Sequence, residues 1–154
     1  MTLNEHYKPH RRERRPAKFL GGFDPNIGLI KLFPGIDSSA LTAMSGRKAV
    51  VIEGFGPGNV PYAYSDWRGE IEKATSRGTH VFVTTQNPFG AVDMSMYEVG
   101  QLARKAGAIS CRNMTSEAVV AKLMWIFGNQ ADHLSRDQMI TLFNTNYAGE
   151  FYES

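Results

Sequence analysis

Lys48-Ala49-Val50-Val51-Ile52-Glu53-Gly54-Phe55-Gly56-Pro57-Gly58-Asn59-Val60-Pro61 is an apolar run that passes straight into a glycine-rich loop. Ala49 to Ile52 show no polar alternation, as expected of a strand buried on both faces of its sheet. A similar strand at His80–Thr84 enters the loop Thr85-Gln86-Asn87-Pro88-Phe89-Gly90. Shorter apolar pieces at Ile27–Phe33 and Ala108–Ser110 make two further strands, the first closed by the turn pair Pro34-Gly35.

Helical patterns lie between these strands. Asp37 can cap a short helix that ends at Ser45-Gly46. Over Tyr64–Arg77, Trp67, Ile71 and Ala74 share one face and Gly78 ends the helix. Over Met94–Ala106, Val99, Leu102, Ala103 and Ala106 form a stripe before Gly107. Asn113-Met114-Thr115-Ser116-Glu117-Ala118 opens a helix capped by Thr115, with Glu117 complementing its dipole and Gly128 expected to stop it. Ser135 and Gln138 form a capping-box pair for a last helix. Strands alternating with helices predict an α/β fold, a three-layer α/β/α arrangement with a parallel sheet of about four strands. Both special loops leave strand carboxyl ends, so they share one edge, where such sheets build ligand sites.

The 154 residues suffice for one domain with a true core. A net charge of +2 is too small to argue for nucleic acid, despite Arg11, Arg12, Arg14 and Arg15 in the first 18 residues. That block, 1–18, reads as a basic arm or linker remnant, and 19–154 as the folded domain. The single Cys111 allows no internal disulfide, and no apolar run reaches membrane length, so the expected location is cytoplasmic. His6, His10, His80 and His133 lack metal-site spacing; neither metal nor cofactor is expected. Cys111 reads as a small buried residue, and Met124–Phe127 as core, with Trp125 a candidate subunit contact.

Gly54, Gly56 and Gly58 allow a sharp turn and close approach of another chain or ligand. The loop is neither a dinucleotide fingerprint nor a P-loop, because Asn59 falls where the third glycine would be and no Gly-Lys-Ser/Thr follows. On spacing alone it is a structural turn. Likewise Thr84 and Thr85 can simply finish their strand, or Thr85, Gln86 and Asn87 can hydrogen-bond a small polar ligand.

In order and spacing, Lys48–Pro61, Thr84–Gly90 and Asn113–Gly128 resemble the C-terminal domain of cytoplasmic-type L-asparaginases and of the related archaeal tRNA-dependent amidotransferase subunit. The resemblance covers roughly Phe19 to Glu150. It implies that Asn59, in the family's Gly-x-Gly-Asn loop with Gly56 and Gly58, reaches the active site of a neighbouring subunit and meets L-asparagine. It implies a homodimer or higher oligomer, and a partner N-terminal domain that carries two catalytic threonines and a lysine. No catalytic residue is expected here: Gly21-Gly22 precedes Phe23, and Thr-Asp-Thr is absent. Arg12–Asn26 looks like the end of the family's interdomain linker, which makes Met1 a new start within a longer parent chain. In some bacterial members an Arg before the glycine loop and a Cys in the second loop build an allosteric asparagine site. Glu53 and Asn87 stand at those positions, so no such site is expected. Secreted members also lend a Glu to the neighbour's site, but Ala91 occupies the matching position ahead of Tyr97.

Overall fold

The computed structural model describes residues 19–61, 63–87, 89–94, 98–130 and 133–152. The arm 1–18 with its arginines, His6 and His10, and also Pro88 and Tyr97, lie outside the described residues. Element order is β1 (Ile27–Lys31), α1 (Ser39–Thr42), β2 (Ala49–Gly54), α2 (Trp67–Ser76), β3 (His80–Thr85), α3 (Glu98–Lys105), β4 (Ile109–Ser110), α4 (Ser116–Asn129) and α5 (Arg136–Asn144). The four strands pair in parallel in the order β1-β2-β3-β4.

That monotonic order determines the layers. Right-handed crossovers between successive parallel strands all fall on one face. Leu41 of α1, Trp67 and Ile71 of α2 and Ala103 of α3 accordingly pack with Val50, Ile52, Val81 and Val83. The opposite face, Ala49, Val51 and Phe82, is covered by Val119, Leu123 and Ile126 of α4 and Met139 and Phe143 of α5. Ala49 to Ile52 are wholly buried, as the absence of polar alternation requires. The order contains no reversal among the described strands, and so no switch-point crevice. The carboxyl edge is therefore an open rim.

Several element ends differ from expectation, and at the start of α2 local capping prevails over periodicity. α2 begins at Trp67, since the Asp66 carboxylate accepts the Gly69 N–H at 2.9 Å. α1 is a single turn, with Asp37 accepting the Ser39 N–H at 2.9 Å. Thr115 caps α4, and Ser135 with Gln138 closes a full capping box on α5. Gly128 does not stop α4, which runs on to Asn129. Its lack of a side chain serves a crossing instead: a Cβ there would lie 2.4 Å from the Gly22 carbonyl carbon. The extended segment 19–26 crosses α4 at this point. Asp24 N–H donates to Met124 O at 2.9 Å, Trp125 Nε1 to Leu20 O at 3.1 Å and Asn129 Nδ2 to Gly22 O at 2.7 Å. Trp125 also packs on Tyr147, with ring centroids 4.7 Å apart.

Lys122 fastens the C-terminal tail. Its side chain is 4% exposed, and its ammonium donates to Glu150 Oε1 at 2.5 Å and Thr145 O at 2.7 Å. The rings of Phe143, Tyr147 and Phe151 surround it within 5.3 Å. Cys111 is fully buried, and burial pushes its thiol far above the usual range, which leaves it an inert packing group.

Candidate functional site

The loop after β2 is held by its own backbone. Phe55 N–H donates to Asn59 O at 2.9 Å, and Asn59 N–H returns to Phe55 O at 2.7 Å. Closing so tight a loop places Gly56 at φ 50° and Gly58 at φ 93°. A Cβ on Gly58 would also lie 2.7 Å from Val92, and one on Gly54 2.7 Å from the Gly58 carbonyl carbon.

The loop after β3 locks onto this one. The Thr85 hydroxyl donates to Gly56 O and accepts the Asn87 N–H at 3.0 Å. Gln86 N–H donates to Gly54 O at 3.2 Å, while its carboxamide nitrogen donates to Leu32 O at 2.6 Å and Glu53 O at 3.0 Å. Asn87 Oδ1 accepts the Phe89 N–H at 3.0 Å. Further along, Asp93 N–H reaches Pro57 O at 3.1 Å and Val92 N–H reaches Arg112 O at 2.7 Å, which joins the exit of β4 to the same assembly. Among the described residues, Arg112 is the one non-glycine with positive φ, 58°.

The fold therefore brings Gly56, Gly58, Asn59, Thr85, Gln86 and Asn87 to one edge. Their polar groups differ in what they do there. The Thr85 hydroxyl and the Gln86 nitrogen bind backbone within the assembly. The Asn59 carboxamide makes no hydrogen bond with any other described residue, although Asn59 is half-buried. Asn59 lines a largely apolar cavity of about 440 Å³ with Pro34, Ile36, Phe55, Val60 and Tyr64. Beyond it the edge is apolar and open: Phe33 is 58%, Tyr64 95% and Phe89 83% exposed, each in the connection that leaves a different strand. On the cavity wall, Ser65 Oγ donates to Asp37 Oδ2 at 3.0 Å, and hydrogen bonds from Ser39 and Ser65 hold the Asp37 carboxyl below its usual range. Glu53 sits close by, its side chain 13% exposed and its carboxylate 4.0 Å from Lys31 Nζ.

Val92, Ser65 and Ile36 are parts of this site that sequence reading did not single out. None carries a local motif, and only the loop crossings bring them in. Among the described residues no group of three or more His, Cys, Asp or Glu is arranged to hold a metal, and no helix is long and apolar enough to cross a membrane.

Comparison with known proteins gives this geometry a context. The family profile for the glutaminase/asparaginase C-terminal domain matches residues 26–140. A glutamyl-tRNA(Gln) amidotransferase subunit of Aeropyrum pernix is 36% identical over 153 residues, covering 98% of this chain and 34% of that protein. L-asparaginase of Thermococcus kodakarensis is 38% identical over 128 residues, covering 82% of this chain and 38% of that protein. The solved thermostable L-asparaginase from Thermococcus kodakarensis superposes with a TM-score of 0.79 at 34% identity, over 94% of this chain and 44% of that one. L-asparaginase I from Vibrio cholerae superposes with a TM-score of 0.76 at 28% identity, over 88% of this chain and 40% of that one. The chain thus spans 34% and 38% of the two curated relatives' lengths, about a third.

Proposed function

Because this chain belongs to the glutaminase/asparaginase C-terminal domain family, we propose that it is the C-terminal module of an L-asparaginase, acting in hydrolysis of L-asparagine to L-aspartate and ammonia. In this reading the chain supplies no nucleophile. A threonine hydroxyl attacking an amide carbon needs a base and an oxyanion site, and these residues contain no Gly-Gly-Thr or Thr-Asp-Thr setting for them. An N-terminal catalytic domain, in one longer polypeptide or as a separate chain, provides that chemistry. By itself the chain is inactive, and 19–154 acts as the folded unit behind the arm 1–18.

Its contribution is Asn59. The observation that carries the proposal is a carboxamide with no hydrogen-bond partner among the described residues, on a backbone clamped from both sides. A carboxamide offers two donors and an acceptor, which suits the charged end of an amino acid. Gly56 and Gly58 shape the turn that presents it. Phe33, Tyr64 and Phe89 give the same edge an apolar surface for the catalytic domain or a second copy, which favours a homodimer or higher homo-oligomer. Glu53 beside this edge opposes a second amino-acid carboxylate, so no bacterial-type allosteric site is present. The module works in the cytoplasm without a cofactor.

A second reading is the asparaginase-like subunit of a tRNA-dependent amidotransferase, where the same domain would support ammonia release for Glu-tRNA. It is favoured by the amidotransferase match covering 98% of the chain, against 82% for the asparaginase match.

The deciding experiment is ammonia release from L-asparagine by this chain mixed with a separately made asparaginase N-terminal domain, with each half alone as control. Activity in the mixture alone is the expected result. Activity of the chain alone would contradict the proposal. Silence from a mixture shown to contain the assembled complex would leave a non-catalytic binding or assembly module. Binding of tRNA that persists at physiological salt would favour the amidotransferase reading.

A further inference from the structure

A second cavity, of about 540 Å³, opens at the opposite, amino edge of the sheet. It lies between α1, the last turn of α2 and His133 with Leu134. Its floor is apolar, with Leu41, Met44, Val50 and Phe127. Its rim is cationic, with Arg47, Lys48, Lys73 and Arg77. His80 and His133 stand in the wall, and burial holds the His80 ring below its usual pKa, which favours the uncharged form.

Glu70 is the carboxylate of the lining, and it is already engaged by Lys73 Nζ at 2.7 Å and the Thr42 hydroxyl at 2.5 Å. Asp24 beside the rim holds Lys48 at 2.9 Å. Both rim lysines are thereby paired, whereas neither arginine lies within ion-pair distance of a carboxylate among the described residues, although Arg77 is near enough to Glu70 to help hold its carboxyl below the usual range. Arg47 reaches a neutral partner, Asn26 Oδ1, at 3.4 Å. The Arg77 guanidinium makes no ion pair or hydrogen bond with a described residue. It does not cap α2 either, because the last carbonyls of that helix take the backbone N–H groups of Arg77, Gly78 and Thr79. Two exposed guanidiniums without ion-pair partners among the described residues thus border an apolar floor. A guanidinium fork matches a carboxylate or phosphate group in shape and charge.

We propose that this amino-edge cavity binds a small organic anion, with Arg47 and Arg77 holding its carboxylate or phosphate and the floor taking its apolar body. The site lies across the sheet from Asn59, and the proposal does not depend on the asparaginase reading.

Titration of the isotopically labelled chain with phenyl phosphate, and in parallel with benzoate, followed by NMR, tests it. Shifts should cluster at Met44, Val50, Gly78 and Leu134 and saturate with a Kd on the order of 1 mM, as expected for so small a ligand. Benzyl alcohol, which has the ring without the charge, should bind about tenfold more weakly. The double variant Arg47→Met, Arg77→Met should lose about tenfold for both anions while its spectrum elsewhere stays that of the parent chain. Asn59→Ala should bind as the parent does. Tighter binding of phenyl phosphate than benzoate would name phosphate esters as the ligand class, and the reverse would name carboxylates. Equal affinity for benzyl alcohol, shifts centred on the carboxyl edge, or an unchanged Kd in the double arginine variant would each overturn the proposal. Inorganic phosphate binding as tightly as phenyl phosphate would remove the role given to the floor.

Discussion

The surroundings of α4 and the glycine loop after β2 use the same means to opposite ends. Around α4 the named polar side chains are engaged within the chain. Lys122 holds Glu150, Trp125 holds Leu20, Asn129 holds Gly22, and Asn113 holds Tyr152. At the glycine loop the backbone is hydrogen-bonded just as closely, yet the Asn59 carboxamide has no partner among the described residues and the aromatic rings on that edge face outward. Both regions close on glycines that admit no Cβ, Gly22 with Gly128 and Gly54 with Gly58. Tight backbone closure therefore does not by itself mark a functional site. The loop differs in a fixed backbone whose half-exposed Asn59 carboxamide has no partner among the described residues, the feature on which its proposed role rests.

The strongest way to break this comparison is at Lys122. Lys122→Ala leaves Glu150 buried without its cation, and should lower unfolding free energy by about 3–5 kcal/mol in urea titration. A loss under about 1 kcal/mol would mean that the tail is held by packing alone. Gly128→Ala should cost about 2–3 kcal/mol, because its Cβ meets the Gly22 backbone rather than a side chain that can move aside. Gly58→Ala combines positive φ with a collision at Val92, and about 1–2 kcal/mol is expected. In the reconstituted mixture the same change should also lower ammonia release, which Gly128→Ala should leave intact once folded. A Gly58→Ala variant that keeps full activity would separate loop geometry from function.

Acid should also loosen the α4 side through Glu150. Lys122 and backbone N–H groups hold the Glu150 carboxyl below its usual range, against the opposing effect of burial. Its folded pKa is thus lower than its unfolded one. Stability is fully present above the ordinary glutamate range and declines as pH falls through the folded value. Glu150→Gln should flatten that part of the pH–stability curve; an unchanged slope would assign acid sensitivity to other carboxyls. The smallest stability effect is expected at Asn59. Asn59→Ala should change unfolding free energy by less than about 0.5 kcal/mol while reducing ammonia release in the mixture. A large loss of stability would place Asn59 with Lys122 as a structural residue.

Much of this was legible in the chain. Unbroken apolar runs identified the buried strands, because burial on both faces removes any reason for alternation. Thr115, Ser135 and Gln138 announced their caps, because capping is a contact over three residues. The Asp66 cap and the passage of α4 through Gly128 were not legible. Asp66 competes with neighbouring residues as a helix start, and the reason for a glycine at 128 lies at residue 22.

Sequence alone determined the α/β class and the parallel sheet, which rest on local pattern and spacing, and the resemblance to the asparaginase C-terminal domain, which alone made Asn59 a candidate. Only the tertiary structure decided which side chains of the two loops remain unengaged, how Lys122 is enclosed, and that Arg47 and Arg77 border one cavity. Hydrogen-bond satisfaction and charge compensation depend on partners up to about a hundred residues away, as for Gly22 and Asn129 with |i−j| of 107. No local pattern can specify such partners.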